Sequence, residues 1–121
     1  MSYERGSGLT TDQLVEAMLK VKERQTIIYV CAGRVEHTVS LFRYILQQHN
    51  PSYAVATSPT IFSIPHKRAW IRFASTKSRV EQVRSLIGPL KIIIDHACME
   101  VDPPGWRVWA MMQEEVQQWR E

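Results

Sequence analysis

No stretch of the 121 residues approaches the ~20 consecutive apolar side chains that a membrane-spanning helix needs, so no membrane partner is expected. Cysteine is scarce. Cys31 and Cys98 are too few for a disulfide framework, and each falls in or just after an apolar run. Both are expected as buried free thiols in a reducing, cytoplasmic setting, which is the host cytoplasm if the chain is viral. Met1 to Gly8 contain no apolar stretch before a cleavage site, which argues against a secretory leader. Repeats, low-complexity tracts and long linkers are absent as well. The expectation is therefore a flexible N-terminus over residues 1–9 and a single domain over residues 10–121. Acidic residues are thin in one place: among His66, Lys67, Arg68, Arg72, Lys77, Arg79 and Arg84 the only acid is Glu81. This local basic excess is more pointed than the net charge of +3 and suits an acidic partner.

What is present alternates between two periods. Leu14, Met18 and Val21, with Val15 and Leu19, lie at helical spacing behind Thr10 and Gln13, which read as a capping box. The run TIIYVCA, residues 26 to 32, is continuously apolar or β-branched, as in a strand buried on both faces of a parallel sheet. Residues 35 to 48 are helical by pattern and stop at Asn50 and Pro51. Short strands follow at Tyr53–Ala56, Ile61–Ile64 and Ala69–Ala74, the last two spaced as a hairpin about the basic turn Pro65–Arg68. A helix from Arg79 to Leu86 ends at Gly88 and Pro89. A second apolar strand, LKIII, runs into Asp95, and Pro103–Pro104 open a last helix to Trp119. The order predicts a three-layer α/β domain with a mostly parallel sheet, whose ligands would sit at the strand carboxyl ends near Ala32–Arg34, Ser75–Thr76 and Asp95–Ala97.

Three stretches carry a resemblance. Residues 27–46, IIYVCAGRVEHTVSLFRYIL, are similar to a strand, turn and helix that touch a nucleic-acid backbone. Residues 69–88, AWIRFASTKSRVEQVRSLIG, are similar to a strand and small-polar turn ending in Gly. Residues 91–97, KIIIDHA, resemble a Walker B strand. Together they resemble the RecA-like core of superfamily-two helicases and viral terminase motors. The departures decide what that resemblance implies. No stretch reads G-x-x-x-x-G-K-[ST]. The nearest segment, Gly33 to Thr38, carries Glu36 where a Gly is wanted and His37 where the Lys belongs, and His96 replaces the Walker B glutamate beside Asp95. Without that lysine and carboxylate, phosphoryl transfer lacks its charge clamp and its water-positioning group. The resemblance thus implies a reduced RecA-like core that does not hydrolyse ATP.

Function is read from the same residues. The expectation is a non-catalytic accessory protein, without cofactor or metal, that binds DNA or RNA or a nucleic-acid motor complex. The expected contacts are Arg34, Lys67, Arg68, Trp70, Arg72, Lys77 and Arg79, because alternating aromatic and basic residues suit bases that stack and phosphates that pair. Gly33, Arg34, Thr38, Asp95 and His96 form a candidate anion or nucleotide site at the strand ends. A metal on Asp95, His96, Cys98 and Glu100 is disfavoured for want of ligands at useful spacing, and a Cys–His nucleophile from Cys31, His37, His96 and Cys98 is disfavoured because those thiols read as core. Two alternatives stay open. One is a weak or partner-completed nucleotide hydrolase. The other is an interaction module, docking on a protein partner or a second copy through Trp106, Trp109 and Trp119.

Overall fold

The computed structural model describes residues 9–86 and 88–120, with the side chains of residues 119 and 120 excepted. Of the expected N-terminal tail, Leu9 already belongs to the first helix, and the remainder lies outside the described residues. The elements run α1 (Leu9–Lys20), β1 (Thr26–Cys31), α2 (Val35–His49), β2 (Val55–Ser58), β3 (Ile61–Ile64), β4 (Ala69–Ser75), β5 (Leu90–Ile94), α3 (Cys98–Val101) and α4 (Pro103–Arg120). Two 3₁₀ segments, Pro65–Lys67 and Val80–Ser85, flank β4. The second of these stands where a helix from Arg79 to Leu86 is predicted.

Five strands form one sheet in the order β2-β3-β4-β1-β5. β1 lies one strand in from the β5 edge and pairs parallel with both neighbours, from Thr26↔Trp70 to Cys31↔Ser75 on β4 and from Thr26↔Leu90 to Val30↔Ile94 on β5. The two apolar runs are thus adjacent and parallel; β1 is buried along its length, whereas β5 is an edge strand with Lys91 exposed and Ile93 and Ile94 half-buried, so its expected full burial is corrected. The sheet is mixed rather than mostly parallel, because β3 is antiparallel to both β4 and β2. Connection length is the reason. Residues 65–68 and 59–60 are too few to return a chain for a parallel pairing, which takes a dozen residues or more.

Alternation along β1 feeds two cores. Ile27, Tyr29 and Cys31 point into a core with Leu14, Met18, Phe42, Ile45, Phe62, Ile71 and Phe73, under α1 and α2. Ile28 and Val30 point the other way, to Val83, Leu90, Ile92, Cys98, Trp109, Met112 and Val116, under α4 and the 3₁₀ segment Val80–Ser85. The architecture is therefore three layers, helix–sheet–helix, each layer burying one apolar stripe. In the first core, Phe42 meets Phe62 edge-on at 4.9 Å and Phe73 at 5.3 Å between ring centres. Such pairs add about 0.5–1.5 kcal/mol beyond area burial.

The predicted capping box is used differently. Thr10 lies inside α1 rather than ahead of it, and its hydroxyl and the Gln13 amide both reach across to the end of β5. At the other end of the chain, Asp102 opens α4 as a cap should. One carboxylate oxygen accepts the Gly105 N–H at 3.3 Å and the other the Thr76 hydroxyl at 2.7 Å, and Pro103 takes the first helical position. Gly105 is the point of closest approach, since a Cβ there would meet the Thr76 carbonyl oxygen at 2.9 Å. Gly→Ala inside a helix ordinarily stabilises by about 0.5–1 kcal/mol. Here Gly105→Ala is expected to destabilise by about 1–3 kcal/mol instead, read as a lower urea midpoint.

Candidate nucleic-acid interface and the strand ends

The carboxyl ends of β1 and β5 converge on Asp95, which is 4% exposed. Its Oδ2 accepts the Tyr29 hydroxyl at 2.9 Å and the Thr10 hydroxyl at 3.0 Å, and its Oδ1 accepts the Ala97 N–H at 3.0 Å. Gln13 closes the mouth further, accepting the His96 N–H at 2.9 Å and donating to the Ile94 carbonyl at 3.2 Å. The His96 Nε2 sits 3.2 Å from the Thr10 oxygen. With the Thr10 proton committed to Asp95, the imidazole is the donor of that contact. Burial and the Asp95 carboxylate together push the Tyr29 phenol far above its ordinary pKa, so it stays a donor throughout the working pH range. This end of the sheet is therefore filled by α1, and the Asp95 oxygens are spent on the protein's own donors. Of the candidate anion or nucleotide site, Asp95 is thus bonded within the protein.

The thiols beside it are free and buried. Cys31 and Cys98 are both fully buried, and burial raises the Cys31 pKa to about 11 and that of Cys98 to about 12. Thr38, in the first turn of α2, hydrogen-bonds the Cys31 thiol and only partly opposes the rise. A nucleophilic cysteine needs the reverse, a thiol ionised near neutrality. Among the described residues, no group of three or more His, Cys, Asp or Glu side chains could hold a metal ion, and no helix is long and apolar enough to cross a membrane. Gly33 takes a positive φ of 115° to turn the chain from β1 into α2, and Arg34 follows it exposed at the helix N-terminus without a side-chain cap.

The basic residues do not form one patch. Lys67 and Arg68 sit in the β3–β4 turn, at the amino end of the parallel strands, where the Lys67 carbonyl accepts the Arg24 N–H at 2.8 Å. Arg34, Lys77 and Arg79 lie at the carboxyl end. The seven residues of β4 separate the two groups by roughly 20 Å at ~3.3 Å per residue. The predicted single surface of hairpin plus strand-end turn is thus corrected to two. Lys77 is also partly engaged, 3.8 Å from Asp102, and Arg79 lies 4.0 Å from Glu81.

Between the two ends, Trp70 and Arg72 share one face of β4. Ile71 and Phe73 point to the α1–α2 core, so Trp70, Arg72 and Ala74 face the α4 side. α4 packs chiefly on β5 and the 3₁₀ segment; Ala74 still packs against that core, while the Trp70 end of this face is open. Trp70 is accordingly 42% exposed. Arg72 is half-buried, and its guanidinium has no ion-pair partner among the described residues. Beside Arg72 opens a cleft of about 390 Å³, bounded by β4 and the 3₁₀ segment, with Arg79 at its rim and Trp109 among its lining residues.

The tryptophan helix faces inward. Trp109 is 1% exposed and belongs to the core, Trp106 packs half-buried against the same core, and the Trp119 side chain lies outside the described residues. The exposed large apolar side chains of α4 are Val108 and Met111, and those of α3 are Met99 and Val101. Helical spacing reports that a stripe exists, and both a core and an interface satisfy it.

Compared with protein-family models, with curated proteins and with solved structures, the chain matches none.

Proposed function

We propose that this chain is a non-catalytic protein that binds single-stranded nucleic acid along the uncovered flank of its sheet, where Trp70 stacks a base and Arg72, with Arg68 beyond it, pairs phosphates. The observation that carries this reading is Trp70 itself. A large aromatic held on a rigid strand, 42% exposed, with an unpaired guanidinium two residues on along the same face, is a stacking platform with its counter-charge in place. The non-catalytic half of the reading is supported by the strand ends, where the residue aligned with a motor's Walker B aspartate is bonded inside the protein. The likeness to RecA-like motors is retained within this proposal: a parallel trio β4-β1-β5 is compatible with a reduced core that accompanies a nucleic-acid motor rather than powering one.

The test is retention on an immobilised single-stranded oligonucleotide. Retention should fall steeply between about 50 and 200 mM salt, as phosphate contacts release counterions. Trp70→Ala should weaken binding about 5- to 150-fold, since a base–aromatic stack is worth about 1–3 kcal/mol. Retention indifferent to salt, or to Trp70→Ala, would sink the reading.

A further inference from the structure

Two loops at the amino end of the parallel strands break the same backbone rule. Residues 22–25 form a tight turn, closed by the Gln25 N–H on the Lys22 carbonyl at 3.1 Å, and Arg24 stands at its third position with a φ of 65°. Arg68 ends the 3₁₀ segment Pro65–Lys67 with a φ of 53°. A left-handed backbone favours glycine at both kinds of position, and a side chain there carries strain. Gly33 and Gly88 meet the same demand with glycine. Among the described residues only these two turns hold a larger residue, and in both it is arginine. The loops are joined directly. The Arg24 N–H donates to the Lys67 carbonyl at 2.8 Å, and the Trp70 N–H to the Gln25 carbonyl at 3.0 Å. Both arginines are exposed, and neither they nor the neighbouring Glu23 make an ion pair among the described residues. Arg68 lies two residues from Trp70, at most about 7 Å along the chain.

We propose that Arg24 and Arg68 form one phosphate clamp, which holds the backbone phosphate next to the base stacked on Trp70. The proposal rests on the single-stranded nucleic-acid reading above and adds to it Arg24, from a second loop. Two guanidinium groups on adjoining loops can take one tetrahedral anion from two sides, each through paired, charge-assisted hydrogen bonds. The bond between the loops fixes their spacing before a strand arrives, which lowers the ordering cost of binding. Glycine would suit both backbone positions better, so the turns themselves give no reason for arginine. A need for the charge does, and strain of this kind gathers at binding sites.

The experiment uses two labelled probes of equal length, an oligothymidylate and an abasic deoxyribose-phosphate strand, titrated with the full chain and followed by fluorescence anisotropy at several salt concentrations. Both should bind the parent, the abasic strand more weakly for want of the stack. Arg24→Gly and Arg68→Gly should each weaken both probes about 5- to 20-fold. The double variant should lose less than the product of the two, and its salt slope should fall by about 0.7, the value of one phosphate on a single strand. The urea midpoints of the glycine variants should match or exceed the parent's, so that lost binding is not lost fold. Arg107→Gln removes the same charge from α4, which begins at the opposite end of the sheet beside Thr76, and should change binding less than about 2-fold. The clamp is overturned if either glycine variant binds the abasic strand like the parent, or if the two losses multiply in full. An equal loss in Arg107→Gln, or glycine variants less stable than the parent, would overturn it too. Trp70→Ala keeps the two readings apart. A Trp70→Ala chain that binds thymidylate like the parent, with both arginines still needed, removes the stack and leaves the clamp. Thymidylate binding that needs Trp70 but ignores both arginines removes the clamp and leaves the stack. A parent that binds neither probe removes both.

Discussion

Trp109→Ala is expected to lower the unfolding free energy by about 3–5 kcal/mol, the range for emptying a buried aromatic site, and to lower the melting temperature by about 10–25 °C. Trp109 is 1% exposed and is the largest side chain of the core beneath α4, packed with Ile28, Val30, Val83, Met112 and Val116. Removing it detaches α4 from the sheet at the middle of its buried stripe. Trp109→Phe keeps a ring there and gives up only an N–H that has no protein partner, so its cost should stay below about 2 kcal/mol. Urea denaturation followed by far-ultraviolet circular dichroism reads both. A loss under about 1 kcal/mol for the alanine variant would mean that α4 is not seated as described.

The second large effect is expected at the sheet's closed end. Asp95→Ala strands the Tyr29 and Thr10 hydroxyls and the Ala97 N–H together, and should cost about 2–4 kcal/mol. Tyr29→Phe removes one donor and leaves the carboxylate with two, so it should cost less, about 1–2 kcal/mol. The double variant should fall short of the sum of the two by about 1–3 kcal/mol, because the Tyr29–Asp95 bond can be lost only once. Additive losses, or an Asp95→Ala variant as stable as the parent, would contradict the internal bonding of Asp95.

The strand TIIYVC was legible because burial on both faces leaves no room for polar residues. LKIII was legible from its isoleucines and is its neighbour in the sheet, but it is an edge strand, where the exposed Lys91 is at home. The hairpin of β3 and β4 was legible from its spacing. The mixed character of the sheet was misjudged, although the short links 59–60 and 65–68 already demanded antiparallel pairing. The helix expected over Arg79–Leu86 is 3₁₀ over Val80–Ser85; with only Val83 of its six residues buried, it lacks the apolar stripe that holds an α-helix down. The site was harder. Nothing in the pattern Thr10-x-x-Gln13 separates a helix cap from a pair of tertiary hydrogen-bonding groups, because a partner 83 to 85 residues away leaves no local trace. The split of the basic residues between the two ends of the sheet follows from strand direction, so counting charges along the chain could not reveal it. The cleft depends on where α4 stops covering the sheet, a matter of packing that no spacing encodes.

The placement of β1 also governs how the chain emerges from the ribosome. Its two partners, β4 and β5, are synthesised some 40 and 60 residues later, so the segment through Ile94 must be made before this apolar ribbon is flanked on both sides. Until then TIIYVC is a bare edge of the kind that recruits strands from other chains. Nascent chains arrested before residue 90 should therefore be strong clients of holding chaperones, and release should coincide with the arrival of LKIII.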